Sequence, residues 1–229
     1  MASSPRPAWP PPWRNSCGGE GVSIHDLPAA LLQHLMFTVI SVAIGFVLGL
    51  VLGILLSRKP SLSGVVLPIL SVFNTIPGIV FIGLLFLVWG SHLATVLVAL
   101  GIYATFPVLK NTYAGLISVD PQYIEAARGC GMSAGQSLFR VELPLAMPTI
   151  IGGLRMSTVY TVSWAVLASM IGLGGLGTFI YAGLSSNDNG LILLGAIPAA
   201  LLAFVLGSLV DLLQRHVVPK GMRKAGEHA

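Results

Sequence analysis

The chain has 229 residues, 55% of them hydrophobic and 9% charged, whereas an average soluble domain carries roughly 25% charged residues. So little charge excludes an ordinary soluble globule, and Cys17 and Cys130 are too few for a disulfide framework or a zinc-type ligand set. The formal charge of +4 is spread along the chain in a way that tracks membrane topology, which argues against nucleic acid as a partner.

Residues 1–24 hold several prolines together with Trp9 and Trp13, and read as a flexible tail. No apolar h-region is present, so the tail is not expected to be a cleavable signal peptide. An alternative places Trp9 and Trp13 at the membrane surface, where amphipathic rings settle. The remainder predicts an all-α integral membrane protein. About 20 apolar residues cross a hydrocarbon core, and such stretches fall near 35–56, 64–89, 93–109, 149–171 and 190–213. Placing the N-terminus outside puts Arg58, Lys59, Lys110, Arg128, Arg140, Arg155, Arg215 and the basic C-terminal tail at 220–229 on the cytoplasmic side. Only Arg6 and Arg14 then lie outside, as the positive-inside rule prefers.

Within the second span, Pro77 lacks an N–H and clashes with the carbonyl of Phe73, so a kink is expected. Phe73, Asn74, Thr75 and Pro77 form either a pathway wall or a packing kink satisfied by neighbouring helices. The connection at 111–148 is patterned. Asp120-Pro121 is an N-cap followed by proline at the first helical position. Gly129 and Gly131 stop that short helix, and Ser133 with Gln136 forms a capping box for a second one, expected to end at Leu143-Pro144. Together they predict a rigid knob beside the membrane, with Glu125 free to accept charge-assisted hydrogen bonds from a basic partner. An ordinary capped loop with a solvated Glu125 has the same local pattern.

In the fourth span Ser157, Thr161 and Trp164 share a helical face. That face either lines a polar pathway or bonds to carbonyls within the bundle. The run from Gly172 to Gly177 is glycine-rich but lacks the Lys-Ser/Thr of a phosphate loop, so a tight turn or close helix packing explains it better. Asp211 stands four residues before Arg215 and is expected to pair with it. No other carboxylate falls in the spans, so the chain offers no ion-coupling site. His34 and His92 stand singly near membrane edges with no partner in view, which argues against a membrane-embedded enzyme.

Glu125-Ala126-Ala127, three residues, Gly131, nine residues, Val141, one residue and Leu143-Pro144 resemble the EAA loop of bacterial ABC-transporter permeases. Val141 departs from the isoleucine usual there. The stretches NTIPGIVFIGLLF and ASMIGLGGLGTFIYAGL, with the run joining Tyr103 to Val159, are similar to the osmoprotectant subgroup. The likeness covers roughly residues 35–219. It implies the type I importer permease fold with about five transmembrane helices, in a bacterial inner membrane. It also implies a loop, 111–148, whose Glu125, Ala126, Ala127, Gly131, Leu143 and Pro144 dock on a separate ATPase. ATP and Mg would act on that subunit and none on this chain. Further partners implied are an extracytoplasmic solute-binding protein and a second permease, the same or related. The expected solute is glycine betaine, choline, carnitine or a similar quaternary ammonium. Methionine is the alternative, since methionine importers share the glycine-rich segment, and a passive channel is a remote one. No aromatic cage for such a solute is legible in the sequence.

Overall fold

The computed structural model of the protein describes residues 23–217; Trp9, Trp13, Cys17 and the basic residues after 217 lie outside them. Among the described residues all regular structure is helical. The long helices are α1 (Leu27–Ser57), α4 (Leu93–Ile117), α7 (Leu143–Ala165) and α9 (Asn189–Val217). Among the described residues four helical segments are long and apolar enough to cross a membrane: Ile24–Ser57, Leu93–Ile117, Ala134–Ile171 and Asn189–Val217.

Glycines let the first two long helices meet. Gly45, Gly49 and Gly53 repeat at one-turn spacing on α1. A Cβ at these positions would lie 2.5 Å from Ala104 Cβ, 2.7 Å from Val108 Cβ and 2.6 Å from Thr112 Cβ. Only hydrogen fits there, and the close backbone approach replaces the hydrophobic drive that lipid removes. The matched positions climb together on both helices, so α1 and α4 run parallel. The chain must therefore cross back once between them, and α2 (Pro60–Phe73) and α3 (Gly78–Trp89) make that return.

The expected kinked span at 64–89 is thus two short helices of 14 and 12 residues. At ~1.5 Å per residue neither reaches across a ~30 Å core alone. A full break replaces the kink for identifiable reasons. Asn74 and Thr75 N–H groups close the end of α2 on Leu70 and Val72 carbonyls. Ile76 precedes a proline, where the helical conformation is disfavoured, and the Tyr103 hydroxyl donates to the Ile76 carbonyl at 2.8 Å. Pro77 then stands as the N-cap of α3.

Helix α7 packs antiparallel to α4. Gly115 meets Ala146 and Thr149, Gly153 meets Pro107 and Asn111, and Ser157 donates to the Ala104 carbonyl at 2.8 Å. Helix α9 runs antiparallel to α7, where Asp211 accepts from Arg155 Nε at 2.8 Å. One buried apolar cluster holds Phe37, Val96, Leu100, Ala165 and Ala168.

At one end of this bundle sit α5 (Pro121–Gly129) and α6 (Ala134–Ser137). Arg58, Lys59, Lys110, Arg128, Arg140 and Arg215 fall in the parts of the chain toward that end, while Arg155 stands midway along α7 paired with Asp211. At the other end Gly172, Gly174 and Gly175 adopt φ of 77°, 82° and 84° in a turn leading to α8 (Gly177–Ser186). Gln33 clamps this turn, donating to the Leu173 carbonyl at 2.6 Å and accepting from the Gly175 N–H at 3.2 Å. His34 is buried rather than solitary at an edge, with Nε2 3.0 Å from the Val162 carbonyl.

Two boundaries differ from the sequence expectation. Helix α4 runs on through Asn111 to Ile117, and Leu143-Pro144 open α7 instead of ending the second loop helix. A π-helical turn over Leu138–Glu142 joins α6 to α7, so Ala134–Ile171 is one continuous helical segment of 38 residues. Pro144 falls in the first turn of α7 just after the π turn, where its missing N–H costs little.

Candidate functional site

Two assemblies gather the residues singled out above. The first is the knob formed by α5 and α6. Asp120 caps α5 through a hydrogen bond from the Gln122 N–H at 2.9 Å. The helix closes in a Schellman arrangement: Met132 N–H bonds the Ala127 carbonyl at 3.1 Å and Gly131 N–H bonds the Arg128 carbonyl at 2.9 Å. Gly131 holds φ 77°, which only glycine adopts without strain. Ser133 and Gln136 then form the reciprocal capping box of α6.

These caps fix which faces point outward. Glu125 and Ala126 are exposed, while Ala127 is buried against the knob's own interior. Tyr123 and Phe139 stand 56% and 68% exposed beside them. Neither was singled out from the sequence, although an aromatic in α5 and another just after α6 were the available signal. Behind the knob, Arg58 at the end of α1 donates to Glu142 at 2.7 Å, and Ser137 donates to the other oxygen of the same carboxylate at 3.1 Å. Glu142 is buried, so this pair ties the knob to α1. No local pattern announces it, because the two residues lie 84 positions apart.

The second assembly lies halfway along α4, level with the break between α2 and α3. There Asn74, Tyr103, Pro107, Tyr160, Thr161 and Trp164 line a cavity of about 180 Å³. Of the expected pathway set the structure brings Asn74, Thr161 and Trp164 together here. Ser157 is fully buried on the Ala104 carbonyl, Thr75 donates to the Ser71 carbonyl at 3.0 Å, and Pro77 caps α3. The side chain of Phe73 lies outside the described residues.

Three aromatic rings converge on the cavity, a grouping not legible in the sequence. Tyr103 stacks on Trp164 with centroids 5.2 Å apart and planes 18° apart. Its edge contact with Phe81, at 5.6 Å and 82°, fixes its tilt. Gly78 at the start of α3 lies so close to the Trp164 ring that any Cβ would overlap it. Tyr160 stands one turn before Trp164 and half exposed, where the cavity reaches the flank of the bundle. The lining carries hydroxyl and amide groups but no formal charge. Tyr103 and Tyr160 were missed because their meeting depends on the register of α4 against α7, which no local pattern encodes.

Comparison with known proteins places this geometry. Residues 45–223 match the family model described as binding-protein-dependent transport system inner membrane component. The carnitine transport permease protein OpuCB of Listeria monocytogenes is 38% identical over 203 residues, covering 89% of this chain and 93% of that one. The glycine betaine/carnitine/choline transport system permease protein OpuCB of Bacillus subtilis is 35% identical over 191 residues, 83% of this chain and 88% of that one. An osmoprotectant import permease, OsmW of Salmonella typhimurium, is 35% identical over 202 residues, 86% of this chain and 94% of that one. Among solved structures, a chain of the MetNI methionine ABC transporter in an inward-facing form superposes with a TM-score of 0.76 at 22% identity, covering 86% of this chain and all of that one. At that identity the likeness speaks for the fold alone.

Proposed function

The chain belongs to the family of binding-protein-dependent transport system inner membrane components, and on that footing we propose that it passes a small quaternary-ammonium osmoprotectant across the membrane. As a permease it has no catalytic role of its own; ATP and Mg act on a partner ATPase, and a binding protein delivers the solute. The observation that carries the substrate class is the breadth of the match. Relatives named for carnitine, glycine betaine and choline align with most of this chain. The methionine alternative has the shared fold and the glycine-rich segment behind it.

The knob is the docking point for the ATPase in this proposal. Glu125 and Ala126 present a carboxylate and a small, closely approachable surface, flanked by Tyr123 and Phe139. Gly131 and the Ser133 box hold that surface in one shape. Leu143 and Pro144 join it to α7. The knob end faces the cytoplasm, because most of the described Lys and Arg residues fall toward it. Asn74, Thr161 and Trp164 border the pathway, whereas Ser157 supports it from within the packing. A polar cavity does not open onto lipid at mid-depth. The flank beside Tyr160 and Met156 is therefore covered by a second permease, either a second copy or a related chain.

The test is reconstitution of this chain with its ATPase, second permease and binding protein in liposomes. ATP-dependent uptake of labelled glycine betaine, suppressed by choline or carnitine but not by methionine, is the expected result. ATP hydrolysis without betaine uptake would discard the substrate and keep the permease. Uptake that persists without ATP would point to a channel.

A further inference from the structure

We propose that the mid-depth cavity is a solute site in the permease itself, in which the Tyr160 ring face holds a trimethylammonium group beside the Tyr103–Trp164 stack. This inference rests on the osmoprotectant reading above and adds to it the residues that would discriminate the solute inside the membrane.

The chemistry of the lining matches that group and few others. A quaternary ammonium has no hydrogen to donate, so neither carbonyls nor carboxylates recognise it by hydrogen bonds; aromatic faces attract it through their quadrupoles. The cavity offers aromatic rings from two helices and no formal charge. A carboxylate in the lining would bind a cation tightly and repel the acid group of a betaine. Asn74 instead supplies a neutral donor for such an acid group. The volume of about 180 Å³ falls below the ~300–1,000 Å³ of sites for drug-sized ligands, which limits occupancy to a small solute.

The rings are also fixed before any solute arrives. Tyr103 is held by its stacking on Trp164, by the Phe81 edge and by the hydrogen bond to the Ile76 carbonyl. Gly78 is the residue that leaves room for the Trp164 ring. Tyr103, Trp164 and Gly78 thus couple the aromatic wall to the break between α2 and α3, while Tyr160 stays half exposed at the mouth. Rigid aromatic groups lose little freedom on binding, so even a weak contact is selective.

Tyr160 is the position to alter first, since it makes none of these packing contacts. Equilibrium dialysis of labelled glycine betaine would be run against the permease–ATPase complex without its binding protein. Saturable binding is expected, weakened about tenfold in Tyr160→Leu and retained within about twofold in Tyr160→Phe, in line with the worth of one aromatic face. The neutral isostere with a tert-butyl group in place of trimethylammonium is expected to compete at least about fivefold less well. Equal competition by the isostere, which needs only the wild-type complex, would overturn the site. So would unchanged affinity in an assembled Tyr160→Leu complex. Wild-type uptake of betaine by the full transporter is measured in parallel. Its presence beside either negative result sinks the site alone, and its absence sinks the substrate reading beneath it.

Discussion

The seam between α1 and α4 and the knob of α5 and α6 are both rich in glycine, yet they are held together by opposite means. Along the seam Gly45, Gly49 and Gly53 matter for what they lack, since a methyl group at any of them would overlap the facing helix. Stability there comes from other parts of the chain. In the knob Gly131 matters for its backbone angle, and the hydrogen bonds that define the shape run between residues within a few positions of one another. A region that stabilises itself leaves its outer face free, and the exposed Tyr123, Glu125, Ala126 and Phe139 are that face. Self-sufficiency of the knob and dependence of the seam are thus two solutions suited to docking and to spanning.

Substitutions separate the two. The largest effect is expected at the seam, where Gly49→Leu forces the helices apart and costs at least about 3 kcal/mol, the upper range for overpacking; the measure is recovery of monodisperse protein from detergent, which should collapse. Next comes the tie between the regions. Glu142→Ala leaves Arg58 without its buried partner and should cost about 1–3 kcal/mol by thermal unfolding. The value sits in this range because Arg58 remains 42% exposed and can turn to solvent. Within the knob, Gly131→Val places a β-branched residue at φ 77° and should cost about 1–2 kcal/mol, seen as local loss of amide-exchange protection with the spans unaffected. Ser133→Ala should follow at about 1 kcal/mol through the lost cap. Glu125→Ala should change stability by less than about 0.5 kcal/mol yet abolish co-purification of the ATPase. Failure of Glu125→Ala to fold would break the comparison, because it would show that the knob's outer face serves the bundle.

Local chemistry was legible in advance and register was not. Asp120, Gly131, Ser133 and Gln136 declare their roles within three or four positions, and the knob was expected from them alone. Pro77 announced a disruption, but whether the helix bends or ends is decided by the Tyr103 hydroxyl reaching the Ile76 carbonyl from another helix. Leu143-Pro144 read as a stop because proline usually is one; the preceding π turn, which has no sequence signature of its own, lets the helix continue. Ser157 and Thr161 were recognised as sharing a polar face, but only the packing of α4 shows that Ser157 turns to the Ala104 carbonyl, while Thr161 borders the cavity with its own hydroxyl donating to the Ser157 carbonyl at 2.7 Å. The three-ring wall was invisible for the same reason.

The unbroken course from Ala134 to Ile171 has a mechanical consequence. At ~1.5 Å per residue its 38 residues extend ~57 Å, with Phe139 near one end and Trp164 toward the other. It joins the knob to the aromatic wall through one backbone whose geometry changes at the π turn over Leu138–Glu142, where the Arg58–Glu142 ion pair anchors it to α1, at Pro148 and at the 3-10 turn over Val166–Ile171.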